Sequence, residues 1–140
     1  MIRQIVAFVE NKKGVIWQMT TVLRENNIRI CGFSTVDSPE FGIVRMIVNQ
    51  PDAALSELAK AGFVVKECEV IAITMDAQEV QRDMEAILQA VQDGNVNINY
   101  FYSSFGSSGE KPILILNAEE MDETEEMLCS QGFACLSSCG

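Results

Sequence analysis

An internal repeat limits the folds open to this 140-residue chain more than any other feature of its sequence. The apolar residues of a predicted amphipathic helix, at i, i+4, i+7 and i+8, recur 65 positions later: Val15, Met19, Val22 and Leu23 as Val80, Met84, Ile87 and Leu88. Three shorter segments recur at separations of 68 or 70 positions: 28–30 as 96–98, 48–49 as 116–117 and 61–63 as 131–133. A repeat that keeps its order along the chain indicates the duplication of a module.

Each half predicts the same order of elements, β-α-β-β-α-β, which is the split ferredoxin-like unit. Pro51 is tolerated in the first turn of a helix and Gly62 is typical of a left-handed helix cap, so the second helix lies between them. Turn residues at 37–40 join two strands, and a Ser/Gly-rich hairpin loop occupies 103–109. The predicted strands lie at 2–9, 28–36, 43–48, 63–68, 70–75, 96–105 and 111–117 and from Phe133 onward, and the other helices at 15–26, 79–92 and 120–130.

The sequence therefore predicts an α+β protein of two modules, residues 1–69 and 70–140. Modules of about 70 residues are marginally stable alone, because a domain of this size buries only about 60% of its chain surface. We expect the two modules to pack rigidly together, since no linker separates them.

Composition excludes several classes of partner. The chain has 20 acidic and 10 basic residues and no histidine, and its net charge of −10 argues against a nucleic-acid partner. No apolar stretch reaches the roughly 20 residues of a membrane-spanning helix, so we expect a cytoplasmic protein with no membrane partner. The five cysteines show no C-x-x-C pair, and we expect free thiols and no metal site.

The negative charge is concentrated in the second half of the chain. Residues 70–140 hold twelve acids and two bases, whereas residues 1–69 hold eight of each. Six acids crowd residues 119–126, around the start of the last predicted helix. We interpret this helix as having a solvated outer face, and a docking surface for a basic partner is the alternative.

The loop between the first strand and the first helix is the candidate ligand site. It contains Asn11, Lys12, Lys13 and Gly14, and the helix begins at Val15. Backbone N–H groups at a helix N-terminus, a glycine that admits close approach and two lysines suit a small carboxylate. On spacing alone, an ordinary capped turn with its lysines in water is the better interpretation.

The loop 10–15, the helix after it and the strand start at 27–30 together resemble the ACT domain. The usual loop of that family reads Asn-x-Pro-Gly followed by Val or Leu, and Asn-Ile opens its second strand. Residues 41–48 also resemble the third strand of small tandem ACT proteins. The resemblance extends over essentially the whole chain as two copies. It implies two ferredoxin-like modules that form one eight-stranded antiparallel sheet with helices on one face.

ACT domains are regulatory modules that commonly bind amino acids where two domains lie side by side. The resemblance implies that the loop of one module holds the ligand's carboxylate and amino groups. The start of the second strand in the neighbouring module would complete the site. On this chain the implied ligand-binding residues are Asn11, Gly14 and Val15 of the first module and Asn97 of the second, and we add Lys12 and Lys13 for their positive charge. Lys13 stands where the family often has proline.

The mirror-image site has different residues. Aligned by the helices, Asp76 replaces Asn11, Glu79 replaces Gly14, and Arg29 stands where Asn97 does. A carboxylate at Glu79 would repel a ligand carboxylate at the helix terminus. We therefore predict one ligand site per chain and one vestigial site, closed by a contact between Asp76 and Arg29.

No catalytic constellation is present in the sequence. Histidine is absent, and there is neither a P-loop nor a G-x-G-x-x-G motif. We expect a non-catalytic regulatory or sensor protein that needs no cofactor and binds a free amino acid or a similar small carboxylate. A homodimer and a regulated protein partner are both compatible with this role. The alternative is a ligand-free assembly module that acts through protein–protein contacts.

Overall fold

The computed structural model describes residues 1–37, 40–104 and 110–137, and it divides into two compact units. The N-terminal unit comprises Arg3–Cys68. The C-terminal unit comprises Met1–Ile2 together with the described residues of 69–137. The predicted turn at 38–39, most of the predicted Ser/Gly-rich loop, at 105–109, and Cys139 lie outside the described residues.

Both units combine strands with helices in the predicted order. The longest helix has 14 residues, and no helix in the described part of the chain is long and apolar enough to cross a membrane. The strands are β1 (Ile2–Glu10), β2 (Ile30–Asp37), β3 (Phe41–Val48), β4 (Val64–Thr74), β5 (Ile98–Ser104), β6 (Ile113–Ala118) and β7 (Ala134–Cys135), and the helices are α1 (Val15–Glu25), α2 (Pro51–Lys60), α3 (Val80–Asp93) and α4 (Met121–Ser130).

In the N-terminal unit, β3 lies between β1 and β2 and is antiparallel to both. β1 also pairs with β4. Side chains alternate between the two faces of a strand, so every second residue of β1 and β3 points to the same side. One face packs against α1 and α2 in a single apolar core, whose fully or nearly buried members include Ile5, Ala7, Met19, Leu23, Val44, Met46 and Leu58.

The C-terminal unit repeats this arrangement. Its strands follow the order β5, β6, β4 and β7, with antiparallel pairing throughout. The apolar stripes of α3 and α4 contribute to one core with alternate residues of β4 and β6, and its buried members include Ile71, Ile73, Met75, Ile87, Val91, Leu114, Leu116 and Leu128. The periodicity of the sequence thus predicted the core-facing side of α1 and of α3, which includes the buried Met19, Leu23 and Ile87.

The helix ends confirm the cap predicted at Gly62. Gly62 follows α2 with φ +96°, and Gly132 follows α4 with φ +92°. This left-handed region carries little steric cost for glycine, which has no Cβ. Asn27 and Asn95 adopt φ +57° and +56° after α1 and α3, and asparagine tolerates this conformation better than most residues.

The predicted eight strands are seven among the described residues. The strands expected at 63–68 and 70–75 form one continuous strand, β4, which runs from one unit into the other. The reason is local, because the stretch between Val64 and Thr74 contains no glycine, proline or turn residue that would end a strand. That the strands of both units join in one sheet stays a prediction.

The strand pairing also changes one detail of the repeat. Ile30 pairs with Val48 and Ile98 pairs with Ala118, so Val48 corresponds to Ala118 and Asn49 to Glu119. The match of Asn49 with Asn117 in the sequence is wrong, because the chain between β5 and β6 is longer than that between β2 and β3. Hydrogen bonds support the new correspondence: the N–H of Asn49 donates to Arg29 O and the N–H of Glu119 to Asn97 O, each at 3.1 Å.

Arg3 links three elements of the N-terminal unit through its guanidinium group. One nitrogen lies 2.6 Å from the carboxylate of Asp52 on α2 and 2.5 Å from that of Glu67 on β4. Hydrogen bonds from Arg3 lower the pKa of both carboxyl groups. A carboxyl group with a lowered pKa stabilises the folded state above its ordinary pKa, and the contribution is lost as the pH falls through the folded value.

We expect Arg3→Gln to lower the free energy of unfolding modestly at pH 7, because these groups are exposed and water screens their attraction. The difference from wild type should shrink below about pH 4, where the carboxyl groups become protonated. Urea unfolding of both proteins at neutral and acidic pH measures this. An equal difference at both pH values would show that Arg3 acts through packing and not through charge.

Candidate functional site

The loop that joins β1 to α1 turns sharply within four residues. The N–H of Lys12 donates to Glu10 O at 2.8 Å, and the N–H of Val15 donates to Lys12 O at 3.4 Å. The first bond within the helix runs from the N–H of Gln18 to Gly14 O at 2.9 Å. The N–H groups of residues 15–17 therefore have no carbonyl partner within α1, as in the first turn of any helix.

Gly14 makes this turn possible. Its φ is +83°, a left-handed conformation that residues other than glycine, asparagine and aspartate adopt only with strain. A Cβ built on Gly14 would have no heavy atom within 4 Å, so the requirement for glycine comes from the backbone angle and not from crowding. No side chain caps the start of α1.

A cavity of about 150 Å³ lies beside this loop, entirely within the N-terminal unit. Asn11, Lys12 and Val15 line it from the loop and the start of α1. The rest of the lining comes from the end of β1, from Ile16 on α1, and from residues of β2 and β3: Val9, Glu10, Thr35, Val36, Gly42, Ile43 and Val44. The loop contributes Asn11 and Lys12, whereas the residues from the strands are mostly apolar, with Glu10 and Thr35 as the polar members.

Two opposite charges flank the cavity. The Lys12 ammonium lies 2.5 Å from a Glu10 carboxylate oxygen, and both side chains are about 70% exposed. The pair raises the pKa of Lys12 and lowers the pKa of Glu10, through a hydrogen bond between their side chains. The prediction that Lys12 supplies free positive potential is therefore incomplete, because Glu10 neutralises part of this charge.

The structure thus brings three of the predicted site residues, Asn11, Lys12 and Val15, around one cavity. Lys13 is exposed in the same loop, and Gly14 sets the loop's conformation. Asn97 belongs to the C-terminal unit, where it lines a different and larger cavity of about 560 Å³ with residues of α3 and β5. Its side-chain amide donates to a Glu119 carboxylate oxygen at 3.2 Å.

The corresponding loop of the C-terminal unit is occupied by its own carboxylates. The N–H of Asp76 donates to the Asp83 carboxylate at 2.8 Å, and the N–H of Gln78 donates to Asp76 Oδ1 at 2.9 Å. The bond from Asp76 lowers the pKa of the Asp83 carboxyl group. Glu79 immediately precedes α3, so the helix begins one residue later than the sequence predicted, and the contact between Asp76 and Arg29 stays a prediction.

Strand pairing refines the comparison of the two loops. Ile5 lies opposite Met46 and Ile71 lies opposite Leu116, which places Asp76 at the position of Glu10. The helices instead place Asp76 at the position of Asn11. Both alignments hold because the loop of the C-terminal unit is one residue shorter, and this shortening changes the loop that would hold a ligand.

Sequence reasoning missed the part of the lining that comes from β2 and β3. The available signal was Gly42, since a glycine inside a strand often marks a position where another group approaches closely. Thr35 and Val44 gave no comparable signal, because they read as ordinary strand residues.

Comparison with solved structures identifies proteins of the same fold. A protein called BT0572 from Bacteroides thetaiotaomicron is 26% identical, with a TM-score of 0.80 over 96% of this chain and 91% of that chain. The ligand-free regulatory subunit of aspartate kinase from Thermus thermophilus is 18% identical, with a TM-score of 0.62 over 93% and 92%. The regulatory subunit from Thermus flavus is 17% identical, with a TM-score of 0.56 over 91% and 90%. No curated protein sequence matches the chain.

A family model that describes a pair of ACT domains matches residues 1–137, nearly the whole sequence. The match confirms the resemblance inferred from the loop, the strand start and the duplication. It also agrees with the structure, in which each unit carries two helices on an antiparallel sheet. The chain belongs to the family of ACT domain pairs.

Proposed function

We propose that this chain is a non-catalytic regulatory protein that binds a free amino acid at the loop between β1 and α1. The observation that carries the proposal is the cavity of about 150 Å³ beside the N-terminus of α1. Membership of the ACT family supports the proposal, because the regulatory modules of that family commonly bind amino acids.

The charges of the loop match those of the ligand. A free amino acid carries a carboxylate and an ammonium group at neutral pH. The N-terminus of α1 attracts the carboxylate through the helix dipole and its N–H groups. Lys12 attracts the same carboxylate, and Glu10 offers a partner to the ammonium group. Binding therefore replaces the exposed pair of Glu10 and Lys12 by two pairs with the ligand.

Asn97 enters the proposal through the family's arrangement, in which a neighbouring module completes the site. Its amide group has both donor and acceptor capacity, so it suits either end of an amino acid. The neighbouring module is supplied by this chain or by a second copy in a homodimer. Asn97→Ala should weaken binding, whereas Asn99→Ala, an exposed asparagine two residues further on, serves as the matched control.

We propose one ligand site per chain, because the loop before α3 holds Asp76 and Asp83 carboxylates of its own. A second negative charge, the ligand carboxylate, would be repelled there. Titration calorimetry of the reduced protein with the amino acid that stabilises it most should give a stoichiometry of one. Two equivalent sites per chain would contradict this part of the proposal, even though amino-acid binding itself would stand.

A second candidate function is an assembly module that binds no small molecule. The observation in its favour is a set of exposed apolar side chains on the N-terminal unit, which includes Trp17 at 69% and Phe41 at 50% exposure. Sedimentation velocity across a range of concentrations, with and without amino acids, separates the two functions. Self-association that is lost in Trp17→Ser and does not respond to any amino acid would favour assembly.

A further inference from the structure

The strands contribute mostly apolar residues to the cavity beside α1, with Thr35 as a polar member, and Gly42 lies on this strand side, which we call the apolar side. We infer that this apolar side takes the side chain of the ligand, that it selects an aliphatic amino acid, and that Gly42 sets the largest size it accepts. The inference rests on the proposed function, and it adds the class of ligand and a residue that determines specificity.

Gly42 leaves space that other residues would fill. It lies in β3, directly opposite Val9 of β1. A Cβ built on Gly42 would lie 3.4 Å from the Val9 Cγ2 atom and 3.5 Å from Val36 O. These are contact distances, so a methyl group fits with little movement, whereas a larger side chain must extend past Val9 into the cavity.

The size of the cavity agrees with an aliphatic ligand. A cavity of about 150 Å³ that is lined only by apolar side chains accommodates a molecule as large as benzene, and the cavity beside α1 has this volume in total, its polar lining included. The side chains of valine, leucine and isoleucine are no larger, and burying one of them against Val9, Val15 and Val44 removes apolar surface from water.

A charged ligand side chain is disfavoured at the apolar side. Glu10 and Lys12 are the charged members among the described lining residues, and they face each other at the loop. A carboxylate or ammonium group placed between Val9 and Val44 would lose water without gaining an opposite charge. The lining therefore discriminates against aspartate, glutamate and lysine.

The C-terminal unit has no glycine at the position that corresponds to Gly42. Strand pairing there places Met75 and Pro112 at the positions of Val9 and Gly42, and Met75 is fully buried. Both side chains are larger than their counterparts. The combination of a small strand residue and an open loop thus belongs to the N-terminal unit, where the ligand is proposed to bind.

The test compares wild type, Gly42→Ala and Gly42→Val by titration calorimetry with leucine, alanine, glycine and lysine. Wild type should bind leucine most tightly and lysine least. Because one methylene group in an apolar pocket changes affinity by about 10–200-fold, Gly42→Val should weaken leucine binding by at least tenfold and leave glycine or alanine binding within about threefold. The leucine affinity of Gly42→Ala should lie between those of wild type and Gly42→Val.

The changes in affinity should not arise from a loss of folding in the Gly42 variants. Gly42 has no left-handed backbone angle, and valine favours a strand, so both variants should unfold with a wild-type denaturant midpoint or a higher one. Leucine affinity that is unchanged in Gly42→Val, or lysine binding as tight as leucine binding in wild type, would overturn the inference and leave amino-acid binding in place. Failure of wild type to bind any of the twenty amino acids would instead contradict the proposed function.

Discussion

Gly14→Val is expected to weaken amino-acid binding by more than tenfold and to destabilise the fold by about 1–2 kcal/mol, whereas Gly132→Val should cause only the second effect. Both glycines adopt left-handed angles, with φ +83° and +92°. A Cβ added at either position would meet no heavy atom within 4 Å, so the steric cost of the new side chain arises from the backbone in both cases. The two variants therefore form a matched pair.

The amino-acid affinity of the two variants should differ, because relief of the backbone strain moves different groups in each. At Gly14, rotation of the peptide unit displaces the N–H groups at the start of α1 and the adjoining Lys12, which the ligand carboxylate requires. At Gly132, the same rotation affects the chain after α4, far along the sequence in the other unit. Urea unfolding measures the shared cost, and calorimetry measures the affinity.

Equal loss of affinity in the two variants would mean that binding responds to global stability and not to the loop. Unchanged affinity in Gly14→Val would mean that the ligand does not contact the start of α1. The first outcome would leave the position of the site open, and the second would contradict the proposed site directly.

Leu58→Ala and Leu128→Ala should each lower the free energy of unfolding by about 2–5 kcal/mol, because each leaves a cavity in an apolar core. Leu58 lies on α2 and Leu128 at the corresponding position of α4, and both side chains are fully buried. They occupy separate cores, one in each unit. A loss of this size is a large share of the total stability of a typical domain.

The matched control is Ser56→Ala, an exposed change two residues before Leu58, which should alter the free energy of unfolding by less than about 0.5 kcal/mol. Denaturant titrations monitored by circular dichroism give the values. A loss below about 1 kcal/mol in either leucine variant would contradict the assignment of that residue to a closely packed core.

Local patterns in the sequence predicted most of the secondary structure. The spacing of apolar residues located α1 and α3 to within one or two residues, at Val15–Glu25 and Val80–Asp93. Glycines after α2 and α4 marked the helix ends, because their left-handed angles are a property of the residue type. The duplication then supplied the order of the elements in the second half from that in the first.

Most of what the sequence did not predict depends on pairing between distant segments. The junction of the two modules inside β4 is a local exception, because it reads as two strands only when each half is considered alone. The correspondence of Asn49 with Glu119 requires the register of β5 and β6, which is fixed by strand pairing. The cavity lining from Thr35 and Gly42 likewise depends on which strands lie beside the loop.

Side-chain conformations within the loops also lie beyond pattern analysis. The sequence gives no sign that the Glu10 carboxylate pairs with Lys12 and so offsets part of the positive charge of the loop. Nor does it show that the Asp76 carboxylate accepts a bond from the N–H of Gln78, two residues away. In both contacts the partners are two residues apart along the chain. Whether they pair with each other or with more distant residues depends on the backbone angles of the loop.

The central claim is that the loop between β1 and α1 binds a free amino acid. Thermal unfolding of the reduced protein with each of the twenty amino acids, for wild type and Asn11→Ala, tests it most directly. Wild type should be stabilised selectively, by about 2.7 kcal/mol or several degrees at ~100 times Kd, and Asn11→Ala should lose this shift while keeping its own ligand-free melting temperature close to wild type. No shift with any amino acid, or an equal shift in Asn11→Ala, would contradict the claim.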